Sequence, residues 1–68
     1  MYHYYEDLRE KALAPEATAK DRLAFFTWLE NNCIEDWDGE CFDIDDGLGI
    51  YPVYKNAELV DAILIKKG

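Results

Sequence analysis

Serine and glutamine do not occur in these 68 residues, and histidine occurs once, as His3. Without serine, Ser-His-Asp chemistry is excluded. A single His beside the chain start is a poor platform for a base that must be held to fractions of an ångström. A Cys-His pair drawn from Cys33 or Cys41 with His3 suffers from the same placement, and the plainer reading is packed thiols and a solvated imidazole. Two cysteines are too few for a disulfide framework. Both are expected to be free thiols packed as small hydrophobes in a reducing compartment. No apolar run approaches the ~18–20 residues that cross a bilayer. The opening Met1-Tyr2-His3-Tyr4-Tyr5-Glu6-Asp7 has neither a basic nor an apolar leader region, so the expected location is cytoplasmic.

Basic residues are missing from the middle of the chain. Arg9, Lys11, Lys20, Arg22, Lys55, Lys66 and Lys67 all lie outside residues 23–54. That stretch holds Glu30, Glu35, Asp36, Asp38, Glu40, Asp43, Asp45 and Asp46, and the remaining acids balance the bases. It therefore carries the whole net charge of −8. Such a surface disfavours direct contact with nucleic-acid phosphates and with anionic membranes.

What is present is half hydrophobic, enough for one small domain and too much for a disordered chain. A chain this short draws only ~3–5 kcal/mol from a single core. Tyr4 or Tyr5, Leu8 and Ala12 recur at helical spacing and predict a helix over 2–13, ended by Pro15. Thr18 and Asp21 resemble a capping box that opens a second helix over 19–32. Its apolar stripe is Ala19, Leu23, Phe26, Leu29 and Cys33, with Phe25 beside it and Trp28 about 100° away from Leu29. Asn31-Asn32 is the terminating pair.

Beyond Glu35 the period becomes two. Residues 37–44 predict a strand with Glu40, Phe42 and Ile44 on one side and Cys41 and Asp43 on the other. Asp45-Asp46-Gly47 marks a turn. Residues 48–54 predict a second strand whose Pro52 belongs at an edge or a bulge. After a turn at 55–58, residues 59–66 fit a helix by spacing, but their Ile/Val/Leu content after a hairpin favours a third strand. The expected fold is α+β, two N-terminal helices packed on a three-stranded antiparallel sheet (ααβββ). The third strand is apolar on both faces, so the uncovered face is either wrapped by the chain ends or is an interface, a homodimer through the sheet being one form.

Paired carboxylates are abundant, but glycosidase-type work needs a cleft that desolvates one of them, and a solvated acidic face is the plainer reading. Asp36-Trp37-Asp38-Gly39-Glu40 and Asp43-Ile44-Asp45-Asp46-Gly47 do not match the EF-hand spacing, since Gly47 would need an acid at position 42, which is Phe. A weak divalent-ion site of another kind remains an alternative, and zinc from Cys33, Cys41 and His3 lacks the usual close ligand pairs. No enzyme activity, cofactor or resident metal is expected. Aromatics are numerous, and Trp28, off the helical stripe, and Trp37, among acids, are the expected exposed anchors for a protein partner.

The run Ala-Leu-Ala-Pro-x-Ala-Thr (12–18), the helix ending in Phe-x-x-Trp-Leu-Glu, then Trp-Asp-Gly-Glu (37–40), Asp-Asp-Gly-Leu (45–48) and Tyr-Pro-Val-Tyr (51–54) cover most of the chain. Together they resemble small uncharacterised acidic proteins of Gram-positive gut-bacterial prophages and conjugative elements. The resemblance implies a mobile-element setting and carries no functional residues. The expected function is a non-enzymatic protein-binding module in which Trp28, Glu35, Asp36, Trp37, Asp38, Glu40, Asp43, Asp45 and Asp46 engage a basic nucleic-acid-binding host protein. Clustered carboxylates can imitate phosphate spacing, and inhibition of a restriction or CRISPR-type defence complex is the concrete form of this expectation. The alternative is a small structural or regulatory homodimer whose acidic face serves solubility.

Overall fold

The structure, a computed structural model, describes the backbone of residues 2–45 and 47–66 and the side chains of residues 4–44 and 47–66. Helix α1 (Tyr2–Leu13) is followed by α2 (Ala19–Asn32), a 3-10 turn (Ile34–Asp36) and strands β1 (Phe42–Asp45), β2 (Leu48–Lys55) and β3 (Glu58–Lys66). The strands form an antiparallel sheet in the order β1-β2-β3. This is the α+β, ααβββ arrangement that the sequence predicts. Among the described residues no helix is long and apolar enough to cross a membrane.

Local chemistry sets the helix bounds. The Asp21 N–H donates to the Thr18 hydroxyl at 3.3 Å and the Thr18 N–H donates to the Asp21 carboxylate at 3.2 Å, a complete capping box. At the far end the Cys33 N–H reaches the Leu29 carbonyl at 2.7 Å, and the Asn32 amide bonds the Trp28 carbonyl at 2.9 Å. Orphan backbone groups are thereby satisfied at both ends of α2.

Helix α2 is the central element, meeting α1 on one side and β3 on the other. It therefore needs an apolar arc wider than one stripe. Phe26 faces the sheet, with its ring edge-on to Phe42 at 5.3 Å, and Phe25 faces α1, with Tyr5 at 5.6 Å. Both phenylalanines are buried, so Phe25 is a full member of the core rather than a flanking residue. Leu29, Ile50, Ala62 and Ala12 complete the cluster.

The strand expected over 37–44 begins instead at Phe42. Trp37 and Phe42 pair as an isolated bridge around a tight loop over 38–41. Within that loop Asp38 Oδ1 accepts the N–H groups of Glu40 at 2.9 Å and Cys41 at 3.0 Å, while Gly39 takes φ +100°. An Asp side chain that captures the backbone two and three residues on competes directly with a strand ladder. The expected alternation fails here, and Cys41 and Phe42 are both buried.

Pro52 lies in the middle strand, opposite Ala62, but β1 pairs with β2 only from Leu48 to Ile50. At Pro52 the middle strand has become an edge, so the missing N–H leaves no gap in a ladder. The β2–β3 turn places Asn56 at φ 53° and Ala57 at φ 68°, the two positive values of a type I′ hairpin. Ala57 adopts them at a cost of about 1 kcal/mol relative to Gly. That tight hairpin holds residues 58–66 as a strand, the expected alternative to a helix.

Candidate functional site

The acidic residues singled out from the sequence that the structure describes follow one another along the chain as an acidic arc of short elements rather than on one long strand. Glu35 and Asp36 are on the 3-10 turn, Asp38 and Glu40 on the loop that follows, and Asp43 on β1. All five are exposed. Asp46 and the side chain of Asp45 lie outside the described residues.

The two tryptophans are placed differently from the expectation. Both are half-buried against the core instead of standing out as anchors. Trp28 turns toward α1, with its ring 5.4 Å from Tyr5, because the side of α2 away from the sheet is covered by α1. Trp37 lies 5.0 Å from Phe42 and 6.3 Å from Phe26, edge-on to the latter, and shields the end of the aromatic core. The apolar groups that do project beside the arc are Ile34, 62% exposed, and Tyr54, 58% exposed, which line a shallow groove together with Trp37. Ile34 carries no sequence signal for exposure, since only the break after Asn32 turns it outward.

Asp38, Cys41 and Asp43 bring their donor atoms within 4.8 Å of one another. Neither the EF-hand comparison nor the Cys33, Cys41 and His3 set contains this grouping, and the side chain of His3 lies outside the described residues. Two features assign the cluster to loop closure. Asp38 Oδ1 is occupied by two N–H groups, and the buried Cys41 thiol donates toward Oδ2 at 3.7 Å. Asp38→Ala is expected to lower stability by about 1–2 kcal/mol, because the N–H of a buried residue loses its acceptor. Asp38→Asn, which keeps Oδ1 and gives up only the long thiol contact to Oδ2, is expected to lose less. Urea midpoints of the two variants check the assignment, and equal losses would contradict it.

A larger groove, about 490 Å3, opens between α1, α2, the 3-10 turn and β1. Tyr5, Trp28, Leu29 and Cys33 form its floor, and Glu6, Asp36 and Asp43 reach it from three different elements. The Cys33 thiol is pushed above its ordinary pKa by burial and by the charges of Asp36 and Glu35. It is therefore protonated and weakly nucleophilic at neutral pH, which fits a packed thiol better than a reactive one. Cys33 and Cys41 are both free thiols. No family model matches the chain, and neither a curated protein nor a solved structure matches it.

Proposed function

We propose that this chain is a non-enzymatic, cytoplasmic protein-binding module that presents its acidic arc to a basic, nucleic-acid-binding protein. The observation that carries the reading is the segregation of charge. Five exposed carboxylates lie on consecutive short elements between residues 35 and 43, in a stretch that contains no Lys or Arg. Unbalanced like charge costs self-repulsion in a small fold and raises the on-rate for an oppositely charged partner. A partner adapted to phosphates would meet carboxylates at comparable density, and inhibition of a defence complex by occupying such a surface is the form that suits the mobile-element resemblance.

The test is capture from bacterial lysate at low salt, with stepwise elution. Wild type is expected to release a basic nucleic-acid-handling protein over a narrow salt range. A variant carrying D38N, E40Q, D43N, D45N and D46N is expected to bind that protein on the order of a hundredfold more weakly, at about 0.5 kcal/mol per charge removed. Asparagine at 38 keeps the loop acceptor, so circular dichroism should match wild type. Undiminished capture by the folded variant would overturn the reading.

A second reading, the homodimer, is favoured by the sheet's outer face. Ala62 and Leu64 point into the core, so Ile63 and Ile65 point away from it, 40% and 42% exposed. Light scattering at two concentrations, repeated in high salt, distinguishes the readings, because an apolar dimer survives salt and a monomer favours a separate partner.

A further inference from the structure

We infer that the groove between α1, α2 and β1 receives an arginine side chain of the basic partner, stacked on the Tyr5 and Trp28 rings and gripped by Glu6, Asp36 and Asp43; this rests on the reading of the chain as an acidic protein-binding module. The groove has an apolar floor and a rim of one charge sign, a combination that rejects both anions and purely apolar ligands. Its volume, about 490 Å3, falls within the range of roughly 300–1,000 Å3 found for ligand sites. The floor is aromatic, with the rings of Tyr5 and Trp28 5.4 Å apart and inclined at 48°. The carboxylates converge from α1, the 3-10 turn and β1, and none of the described lining residues is basic.

These features match a guanidinium more closely than an ammonium. A guanidinium is planar, stacks on aromatic faces while its edge donates to carboxylates, and sheds water more easily than the point charge of lysine. Its aliphatic stem would lie along Leu29 and Cys33, leaving the fork at the rim. Burial first, and then the charges of Asp36 and Glu35, raise the pKa of the Cys33 thiol, so these carboxylates act on a residue of the floor. Burial of a cation there is compensated before any partner arrives.

The probe is N-acetyl-arginine methylamide, titrated into the labelled protein by amide-resolved NMR, with the citrulline analogue as a neutral isostere and the lysine analogue as a compact cation. Arginine is expected to shift the Trp28 indole and Cys33 amide signals saturably, lysine more weakly, and citrulline not at all. The double variant E6Q/D36N, altered at two exposed positions that the five-substitution variant leaves intact, is expected to weaken arginine binding about tenfold. Equal shifts from citrulline would overturn the inference. So would arginine-induced shifts confined to residues 38–46, with Trp28 unmoved. The same double variant separates this inference from the broader reading. If it captures the basic protein as well as wild type does, the groove is excluded while the acidic arc stands. If arginine fills the groove but no basic protein is captured by wild type, the groove stands and the function falls.

Discussion

Phe26→Ala is expected to abolish the cooperative unfolding transition. Phe26 is buried where three layers of contact meet, beneath Phe42 and Trp37 and inside the cluster that joins α2 to the sheet. Truncating a buried phenylalanine costs about 3–5 kcal/mol, because the cavity adds to the lost transfer energy. A core of this size supplies a total of only ~3–5 kcal/mol, so the deletion consumes the whole margin. Helical signal in the far ultraviolet should fall, near-ultraviolet signal from Trp28 and Trp37 should vanish, and urea should produce no sigmoid. Phe26→Leu, which fills most of the volume, should retain the sigmoid at a lower midpoint. A cooperative Phe26→Ala variant within 1 kcal/mol of wild type would mean that the aromatic cluster is not the centre of the fold.

Arg22→Ala is expected to lower stability by about 2 kcal/mol and to provoke aggregation. One guanidinium serves three places. Its Nε donates to the Ala62 carbonyl at 2.7 Å and to Asp61 Oδ1 at 3.2 Å, Nη2 reaches Asp61 Oδ2 at 3.3 Å, and Nη1 reaches the Ala17 carbonyl between the helices at 3.2 Å. The Ala62 N–H, in turn, donates to Asp61 Oδ1 at 2.6 Å. Ala62 lies on the outer strand, opposite Pro52, with its carbonyl bonded by Arg22 and its N–H by Asp61. Arg22 and Asp61 cover that strand beside the exposed Ile63. Side-chain exposures of 24% and 29% moderate the worth of the ion pair, and the backbone bonds supply much of the effect. Arg22→Lys should rescue little, since one ammonium cannot span Ala17, Ala62 and both Asp61 oxygens. Urea midpoints and light scattering read the two effects, and an unchanged midpoint in Arg22→Ala would refute the bridging role.

The same pair sets an acid limb. The hydrogen bond from Arg22 holds the Asp61 carboxyl below its ordinary value of 3.8, against the opposing effect of burial and with help from the Ala62 N–H and the Arg22 charge. A carboxyl depressed in the folded state contributes stability that is present above the unfolded value and disappears as pH falls through the folded one. The difference in stability between wild type and Asp61→Asn should therefore be flat above that ordinary value and shrink below it.

The parts of the fold that were legible in the sequence are those whose causes lie within a few residues. Thr18 and Asp21 are three positions apart and close their own box, Pro15 ends a helix by its own ring, and the hairpin over 55–58 is a local geometry. The loop over 38–41 is equally local and its signal, Asp38-Gly39, was present. A period of two nonetheless runs through it in the sequence, because Glu40, Phe42 and Ile44 fall on one parity and Cys41 and Asp43 on the other. The acidic arc was legible as composition, since exposed charge needs no partner to be placed.

By itself the sequence determined the element order, the ends of both helices and the segregation of acid from base, all of which follow from short-range sterics, capping and desolvation of charge. Only the tertiary structure decided that α2 lies between α1 and the sheet, which buries Phe25 and turns both tryptophans inward. Only it joined Arg22 to Asp61 across 39 positions, and only it assembled a groove from residues between Tyr5 and Asp43. Such pairings depend on which apolar face finds which neighbour, and loop closure makes many of them similar in entropy until the whole core is packed.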